Sequence, residues 1–395
     1  MTDGEVATTL GIQHFQHLNA SQQAQLFWKP PEVISLHDEP RLIATALGAT
    51  LYIPADRPDL AATVTRRASE GICSMVLDLE DAVDDMHADA AMHNVVTALD
   101  ELAADPLATM VFVRVRSYDC IPQIADRLTV GAHALAGFVI PKFEADTGAR
   151  YLRQTEDAAS ALSRHLYCMP VLESERILFQ ETRDAELTAL VDLLDEHRQT
   201  VLAVRVGATD MCGSLGIRRD RDHTIYDVKV VADVLAAIIN RFGRPDGTGF
   251  VVTAPVWEYF ADHERLFRPL LRATPFRDHD AVRFRDMLVS RDLDGLLREI
   301  SLDRANGLLG KTIIHPTHAA PVHALSVVTH EEFRDASDIA ASDTGGVSRS
   351  HYRNKMNESR PHRVWAHQVL QRARVFGVAS DGVTFVDFLT ALAGR

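Results

Sequence analysis

From about residue 48 the chain falls into a beat of short apolar runs rich in β-branched residues, each followed by a longer segment with helical spacing. The runs are Thr50–Ile53, Ser74–Asp78, Val111–Val115, Gly137–Ile140, Leu166–Leu172, Val201–Val206, Gly249–Val252 and Thr312–His315. Between them, apolar positions recur every three or four residues, as in Leu60, Ala61 and Val64, or in Val228, Val231, Ala232, Leu235, Ile238 and Ile239. Strands alternating with amphipathic helices predict parallel pairing through βαβ units. Eight such repeats predict an α/β fold, a (β/α)8 TIM barrel over about residues 46–325, in preference to an open doubly wound sheet.

Three segments break the beat. Residues 1–45 have no repeat, and Pro30-Pro31 interrupts any helix, so an N-terminal arm laid against the barrel is expected. The stretch of about 258–305 is too long and too charged for one connection, with Arg283, Arg285, Asp286 and Arg291, and reads as a helical insertion before the eighth strand. Residues 326–395 read as a C-terminal lid or oligomerisation extension, with Ala366, Val369, Leu370, Ala373 and Phe376 at helical spacing.

Composition narrows the class. The chain has 395 residues, 46% hydrophobic and 24% charged, which suits a globular protein with a large core. A formal net charge of −14 argues against general binding to nucleic acid or to an anionic membrane. The four cysteines are scattered, with no CxxC pair, so no disulfide framework or thiolate zinc site is indicated. With no signal-like start and no apolar run of about 18 residues, a cytoplasmic protein is expected.

Barrel enzymes carry their chemistry at the C-terminal ends of the strands. Those ends hold Asp56-Arg57, Asp78 with Glu80-Asp81, Arg114 and Arg116, Lys142 and Glu144, Glu173 and Glu175, Asp210, Glu258 and His315. Glu173 and Asp210, on separate strands, are a carboxylate pair suited to a hard cation such as Mg2+, with positions left for water and a bidentate oxygen substrate. Arg114 is placed to neutralise a carboxylate or a developing enolate. Chelation opposite an arginine suits making or breaking a C–C bond beside a carbonyl. A salt bridge from the acids to Arg114 or Arg205 is the structural alternative.

The motifs carrying these groups resemble the HpcH/HpaI aldolase and citrate lyase β-subunit superfamily. Tyr52-Ile53-Pro54-Ala55-Asp56-Arg57-Pro58-Asp59 is similar to its VPGDRPE segment, and Leu77-Asp78-Leu79-Glu80-Asp81-Ala82-Val83 to its LDLEDAV. Val113-Arg114-Val115-Arg116, Ile140-Pro141-Lys142, Leu172-Glu173-Ser174 and Gly207-Ala208-Thr209-Asp210 resemble VRVN, LPK, IET and GxxD. Gly310-Lys311-Thr312-Ile313-Ile314-His315-Pro316-Thr317-His318 resembles GKxxIHPxQ, and Asn354-Lys355-Met356-Asn357-Glu358 with Pro361-His362 resembles GKMID-PH. The likeness runs over roughly residues 48 to 375. The long Glu173 to Asp210 interval, the insertion and the arm look like the divergent C–C bond lyase branch associated with tellurium-resistance-type biosynthetic operons.

The resemblance implies a carbon–carbon lyase or aldolase working through a metal-stabilised enolate of an anionic oxo or hydroxy acid. It implies Mg2+, or Mn2+ in its place, at Glu173 and Asp210, with Arg114 on the substrate carboxylate and Glu80-Asp81 positioning water. Arg57, Arg116, His315 and Pro316 stand as substrate-binding candidates. Lys142 is either a structural cation beneath the site or, in a metal-independent aldolase, a Schiff-base amine. The implied role of Glu358 lies at a neighbouring subunit's site in a homo-oligomer, a trimer or hexamer. Alternatives are an acyl-coenzyme A lyase, hydrolase or condensing enzyme and, in another class, a non-catalytic barrel that binds a small anionic metabolite. The basic residues Arg349, Arg353, Lys355, Arg360 and Arg363 either fold over a barrel mouth to meet an anion or form an exposed tail.

Overall fold

The computed structural model describes residues 11–260, 291–342 and 346–393. Its centre is a closed barrel of eight parallel strands: β1 (Ala49–Pro54), β2 (Ser74–Asp78), β3 (Met110–Arg114), β4 (Leu135–Ile140), β5 (Tyr167–Leu172), β6 (Ala203–Val206), β7 (Val251–Ala254) and β8 (Leu309–Ile313). Each pairs with its neighbour in sequence, and β8 closes on β1 through Thr50 beside Thr312. All eight apolar runs of the sequence are barrel strands. The TIM barrel read from the periodicity is therefore the observed fold.

Two apolar layers hold it. The outer layer joins strand residues such as Met75, Leu77, Val113 and Ile140 to helix residues such as Val64, Leu99, Ile124 and Ile238. The inner layer runs through the barrel as Val76, Phe112, Met169 and Val251 and continues into Phe15, Leu18, Ile34, Leu42 and Ile43 of the arm. The arm contacts the N-terminal end of the barrel. His14 Nε2 meets the Ala46 carbonyl at 2.9 Å, and the amide of Ala49, first residue of β1, donates to His323 Nε2 at 3.3 Å. Two short helices, Ala20–Leu26 and Pro40–Ala46, flank the proline pair, which lies in neither. The first is stabilised by a capping box from Asn19 and Gln22, the second by proline in its first turn.

The eighth strand departs most from the sequence pattern. It begins at Leu309, three residues before the predicted start, and ends before His315. Gly310-Lys311 reads locally as a turn with a charge. In the fold Gly310, at φ +65°, passes so close to Gly48 that a Cβ would lie 2.6 Å from the Gly48 carbonyl oxygen. Lys311 is 1% exposed, and its Nζ bonds Glu299 at 2.9 Å and Asp303 at 2.7 Å, both from the helix Arg291–Ala305. That helix is part of the predicted insertion; residues 261–290, with Arg283, Arg285 and Asp286, lie outside the described residues.

Beyond the barrel, the helices His330–Ala341 and Ser359–Phe376 pack through Ala336, Ile339, Ala366, Val369 and Ala373. A hairpin of Val347–Arg349 and Met356–Glu358 lies between them in sequence. Val378–Ala379 returns to pair with Phe27–Lys29 of the arm. Among the described residues no helix is long and apolar enough to cross a membrane.

Candidate active site

β2 and β3 run in register with Asp78 beside Arg114, so the last residues of two adjacent strands meet. Asp78 grips the guanidinium at two points, Nε to Oδ1 and Nη2 to Oδ2, both at 2.6 Å. The remaining Nη1 lies 2.9 Å from Glu80 Oε2 and 3.3 Å from Asp81 Oδ2. A bidentate pair fixes the plane of an arginine as well as its charge. Asp78 is thereby the orienting partner of Arg114, and it also accepts from the Glu80 amide at 3.0 Å.

Lys142 ties this corner to the next strands. It follows β4 with φ at +47°, a left-handed conformation unusual outside glycine. Its amide thereby donates to Glu173 Oε1 at 2.9 Å while its Nζ reaches Glu80 Oε1 at 2.5 Å, Asp81 at 3.6 Å and Asp210 at 4.0 Å. Burial alone would lower its pKa, but the bond to Glu80 and the charges of Glu80, Asp81 and Asp210 outweigh it and hold the amine above its ordinary value. An amine kept as ammonium is poorly poised to attack a carbonyl. Glu144, the acid next to it in sequence, faces Arg176 instead.

Glu173 follows β5 and is 5% exposed; Asp210 lies in the first turn of the helix Ala208–Ser214 after β6. Burial, then the charge of Asp210, pushes the Glu173 carboxyl up to about 8. Asp210 is raised as well, by burial and then by Asp81. Neither acid has an arginine partner among the described residues, so the salt-bridge alternative has no support here. Glycine at 207 makes the arrangement possible, because a Cβ there would sit 1.6 Å from Glu173 Oε2. No group of three or more His, Cys, Asp or Glu able to hold a metal by itself occurs among the described residues. A cation at this pair would complete its shell with water or substrate oxygens, as Mg2+ commonly does.

Glu80 and Asp81 are pushed apart. Burial and the hydrogen bond with Asp81 raise Glu80, whereas for Asp81 the bond with Glu80 and the charges of Arg114 and Lys142 outweigh burial and lower it. Adjacent carboxyls with opposite shifts are an arrangement used for acid–base work.

The other sequence candidates lie apart from this cluster in their described contacts. Exposed Arg57 pairs with Asp59 at 3.4 Å. Arg116 braces the loop after β2 through the Val83 carbonyl at 3.1 Å and Asp85 at 2.6 Å. His315 Nδ1 bonds Thr317 Oγ1 at 2.7 Å, Pro316 opens the single turn Pro316–His318, and the His315 ring stacks on Phe260 at 4.5 Å. Glu358 is exposed, and its amide donates to His362 Nδ1 at 3.2 Å. Neighbouring Lys355 is held by Glu331 and Asp335, both at 2.7 Å, on the helix His330–Ala341. Arg349, Arg353 and Arg360 are exposed, and Arg363 donates to the Ser342 carbonyl at 2.6 Å. Sequence reasoning missed the partner of Asp78 and gave no role to Gly207 or Tyr52 beyond their motifs, and it offered Arg205 only as a salt-bridge partner for the acids, not as a residue of the inner wall beside Tyr52. Strand alternation could have flagged the last two, since both fall on inward positions.

A family model described as the C–C bond lyase of the TIM-barrel fold matches residues 41–378. A citrate lyase subunit beta-like protein of Deinococcus radiodurans is 39% identical over 111 residues, 27% of this chain. That match spans only 37% of the length of the curated relative. Among solved structures, a citrate lyase of Burkholderia xenovorans superposes with a TM-score of 0.59 at 17% identity, covering 88% of this chain and 96% of that one. The CitE protein of Mycobacterium tuberculosis, solved with magnesium, acetoacetate and coenzyme A, gives 0.51 at 19% identity, covering 84% and 99%. At such identities these two show the shared fold.

Proposed function

The chain belongs to the TIM-barrel C–C bond lyase family, and from its strand-end cluster we propose a Mg2+-dependent lyase or aldolase acting on a small anionic oxo or hydroxy acid. One observation carries this reading: among the described residues Asp78, Glu80, Asp81, Glu173 and Asp210 converge on two cations, Arg114 and Lys142. The excess of negative charge falls on Glu173, raised by burial and then by Asp210, and on Asp210, raised by burial and then by Asp81, so the pair requires a proton or a cation for balance. Two carboxylates, one seated in the space a glycine leaves, fit a hard divalent ion. Glu173 and Asp210 would hold it, and when bound it would withdraw charge from substrate carbonyl and carboxylate oxygens.

The chain's own residues divide the remaining work. Arg114, its plane set by Asp78, turns Nη1 toward the substrate side and neutralises a carboxylate or the charge that builds during cleavage. Breaking the C–C bond of a β-hydroxy acid requires a base to take the hydroxyl proton while the bonding pair moves to the carbon beside the carbonyl. That carbon then accepts a proton. Glu80, raised and hydrogen-bonded to Lys142, is the group suited to moving the proton, while Asp81 stays ionised. Condensation is the same path reversed. In this reading residues 46–325 are the catalytic unit, and exposed Glu358 serves a neighbouring copy in a homo-oligomer.

The test is Mg2+-dependent turnover of a panel of 2-oxo acids, aldol products and acyl-coenzyme A thioesters, with Glu173→Ala and Asp210→Ala as controls. Turnover that needs Mg2+ and disappears in both variants is expected. Activity surviving both substitutions and chelation would overturn the metal assignment, and borohydride trapping at Lys142 would put a Schiff base in its place.

A further inference from the structure

Below the carboxylates, inside the barrel, lies a cation that the lyase reading does not use. Arg205 of β6 is 1% exposed. Its Nη2 donates to Thr312 Oγ1 at 2.6 Å, and its Nη1 lies 3.5 Å from Thr50 Oγ1 and 3.9 Å from Met169 Sδ. Its Nε has no partner, and no carboxylate pairs with it among the described residues. Arginine keeps its charge in proteins, and burying that charge against hydroxyls and a thioether is costly. A barrel needing only packing at this position would be served better by leucine or methionine.

The compensation comes from an aromatic ring. Tyr52 of β1 lies with its ring centroid 5.5 Å from the Arg205 guanidinium carbon and 5.3 Å from that of Arg114. Two arginines thus share one ring, an inner one without a carboxylate and an outer one that carries Asp78, Glu80 and Asp81. Tyr52 is on the same strand face as Thr50, which meets Arg205, so it points into the barrel. Tyr52 is part-exposed, and it stands two residues before Pro54, which is in register with Asp78 at the end of β2 where the carboxylates gather. Among the described residues its hydroxyl has no hydrogen-bond partner. Burial raises the phenol above its ordinary pKa against the opposing pull of Arg205 and Arg114, which leaves it a proton-bearing donor at neutral pH.

We propose that Tyr52 is a substrate-contacting hydrogen-bond donor on the floor of the lyase site, taking a carboxylate or carbonyl oxygen of the substrate, and that Arg205 is its positioning residue. The inference rests on the lyase reading and adds to it that the substrate carries an oxygen acceptor directed down the barrel axis. Tyr52→Phe keeps the ring and both cation contacts and removes only the hydroxyl. Arg205→Met keeps the volume and removes the charge behind the ring.

The experiment uses the full chain, Mg2+ and oxalate, a compact pair of carboxylates, followed by calorimetry and by near-ultraviolet difference absorbance. Wild type is expected to bind oxalate only with Mg2+ and to show a tyrosine difference band. Tyr52→Phe should lose about tenfold in affinity, the scale of one hydrogen bond, and lose the band, with an unchanged melting temperature. Arg205→Met should shift the band and weaken oxalate, a spectral effect that a purely structural arginine would not produce. Oxalate bound equally well by Tyr52→Phe, with the band intact, overturns the proposal even if Arg205→Met fails to fold. Glu173→Ala reads the parent assignment separately: loss of Mg2+-dependent oxalate binding there, with none in Tyr52→Phe, would leave the metal site standing and remove Tyr52 from it. A wild type that binds neither Mg2+ nor oxalate overturns both.

Discussion

Replacing Gly207 by alanine adds one methyl group and tests the metal pair without touching either acid. At φ −103° and ψ 77° the glycine backbone is open to alanine, so the demand for glycine comes from crowding. The new Cβ would stand 1.6 Å from Glu173 Oε2 and 2.7 Å from its carboxyl carbon. To reach ordinary contact at 3.4 Å the oxygen must retreat about 1.8 Å. Glu173 is buried, and its other oxygen holds the Lys142 amide at 2.9 Å. Losing that bond leaves the Lys142 amide without its acceptor and costs about 1–3 kcal/mol. Against this, alanine restricts the unfolded chain and returns about 0.4–1 kcal/mol. The fold should therefore lose at most about 2.6 kcal/mol. Mg2+ affinity should fall by at least about 10- to 100-fold, the loss seen when ligand support alone is disturbed. Calorimetric titration with Mg2+, beside a circular-dichroism melt, measures both. Gly213→Ala is the matched control, since its Cβ would have nothing within 4 Å. If Gly207→Ala bound Mg2+ as tightly as wild type and the control, Glu173 would not be a ligand held by this cradle.

Three further outcomes follow from the same contacts. Asp78→Ala releases both clamps on Arg114 while leaving Glu173 and Asp210 in place, so turnover should fall by more than about tenfold with Mg2+ affinity unchanged, as kinetics and metal titration would show. His14, a buried residue of the arm held neutral, has its pKa lowered to about 4, chiefly by burial. The unfolded chain takes up this proton first, so stability is lost as pH falls through 6.5 and levels off below about 4. The amount from His14 is at most about 3.4 kcal/mol; urea unfolding at pH 7 and pH 4 would measure the total loss, and His14→Gln should reduce it while buried His318 and His323, lowered in the same way, keep their share. Lys311→Met leaves buried Asp303 without its cation and takes one of two cations from buried Glu299, which keeps Arg219, and should cost about 3–5 kcal/mol in denaturant unfolding while leaving the strand-end cluster intact.

The sequence by itself determined the architecture and the chemical inventory. Each barrel strand is a local apolar run and each helix a local periodicity, so eight repeats were countable, and the acids ending β2, β5 and β6 could be placed at one rim by the polarity of parallel strands alone. Even the C-terminal helix was legible, because Ala366, Val369, Ala373 and Phe376 are buried at the predicted spacing. What only the tertiary structure decided is who faces whom. Asp78 meets Arg114 because the register of β2 against β3 sets them side by side. Lys142 reaches back to Glu80 because its backbone turns left-handed, and its pKa is set by acids from other strands rather than by Glu144 next to it. Gly207 is needed because a side chain from β5 occupies the space beside it, and Lys311 belongs to a strand because a helix from the insertion supplies two carboxylates to bury it. Period and residue type are properties of a short segment. Register, the reach of long side chains and the charges that surround them arise only when distant segments pack together, and it is these that turn a set of polar strand ends into a site.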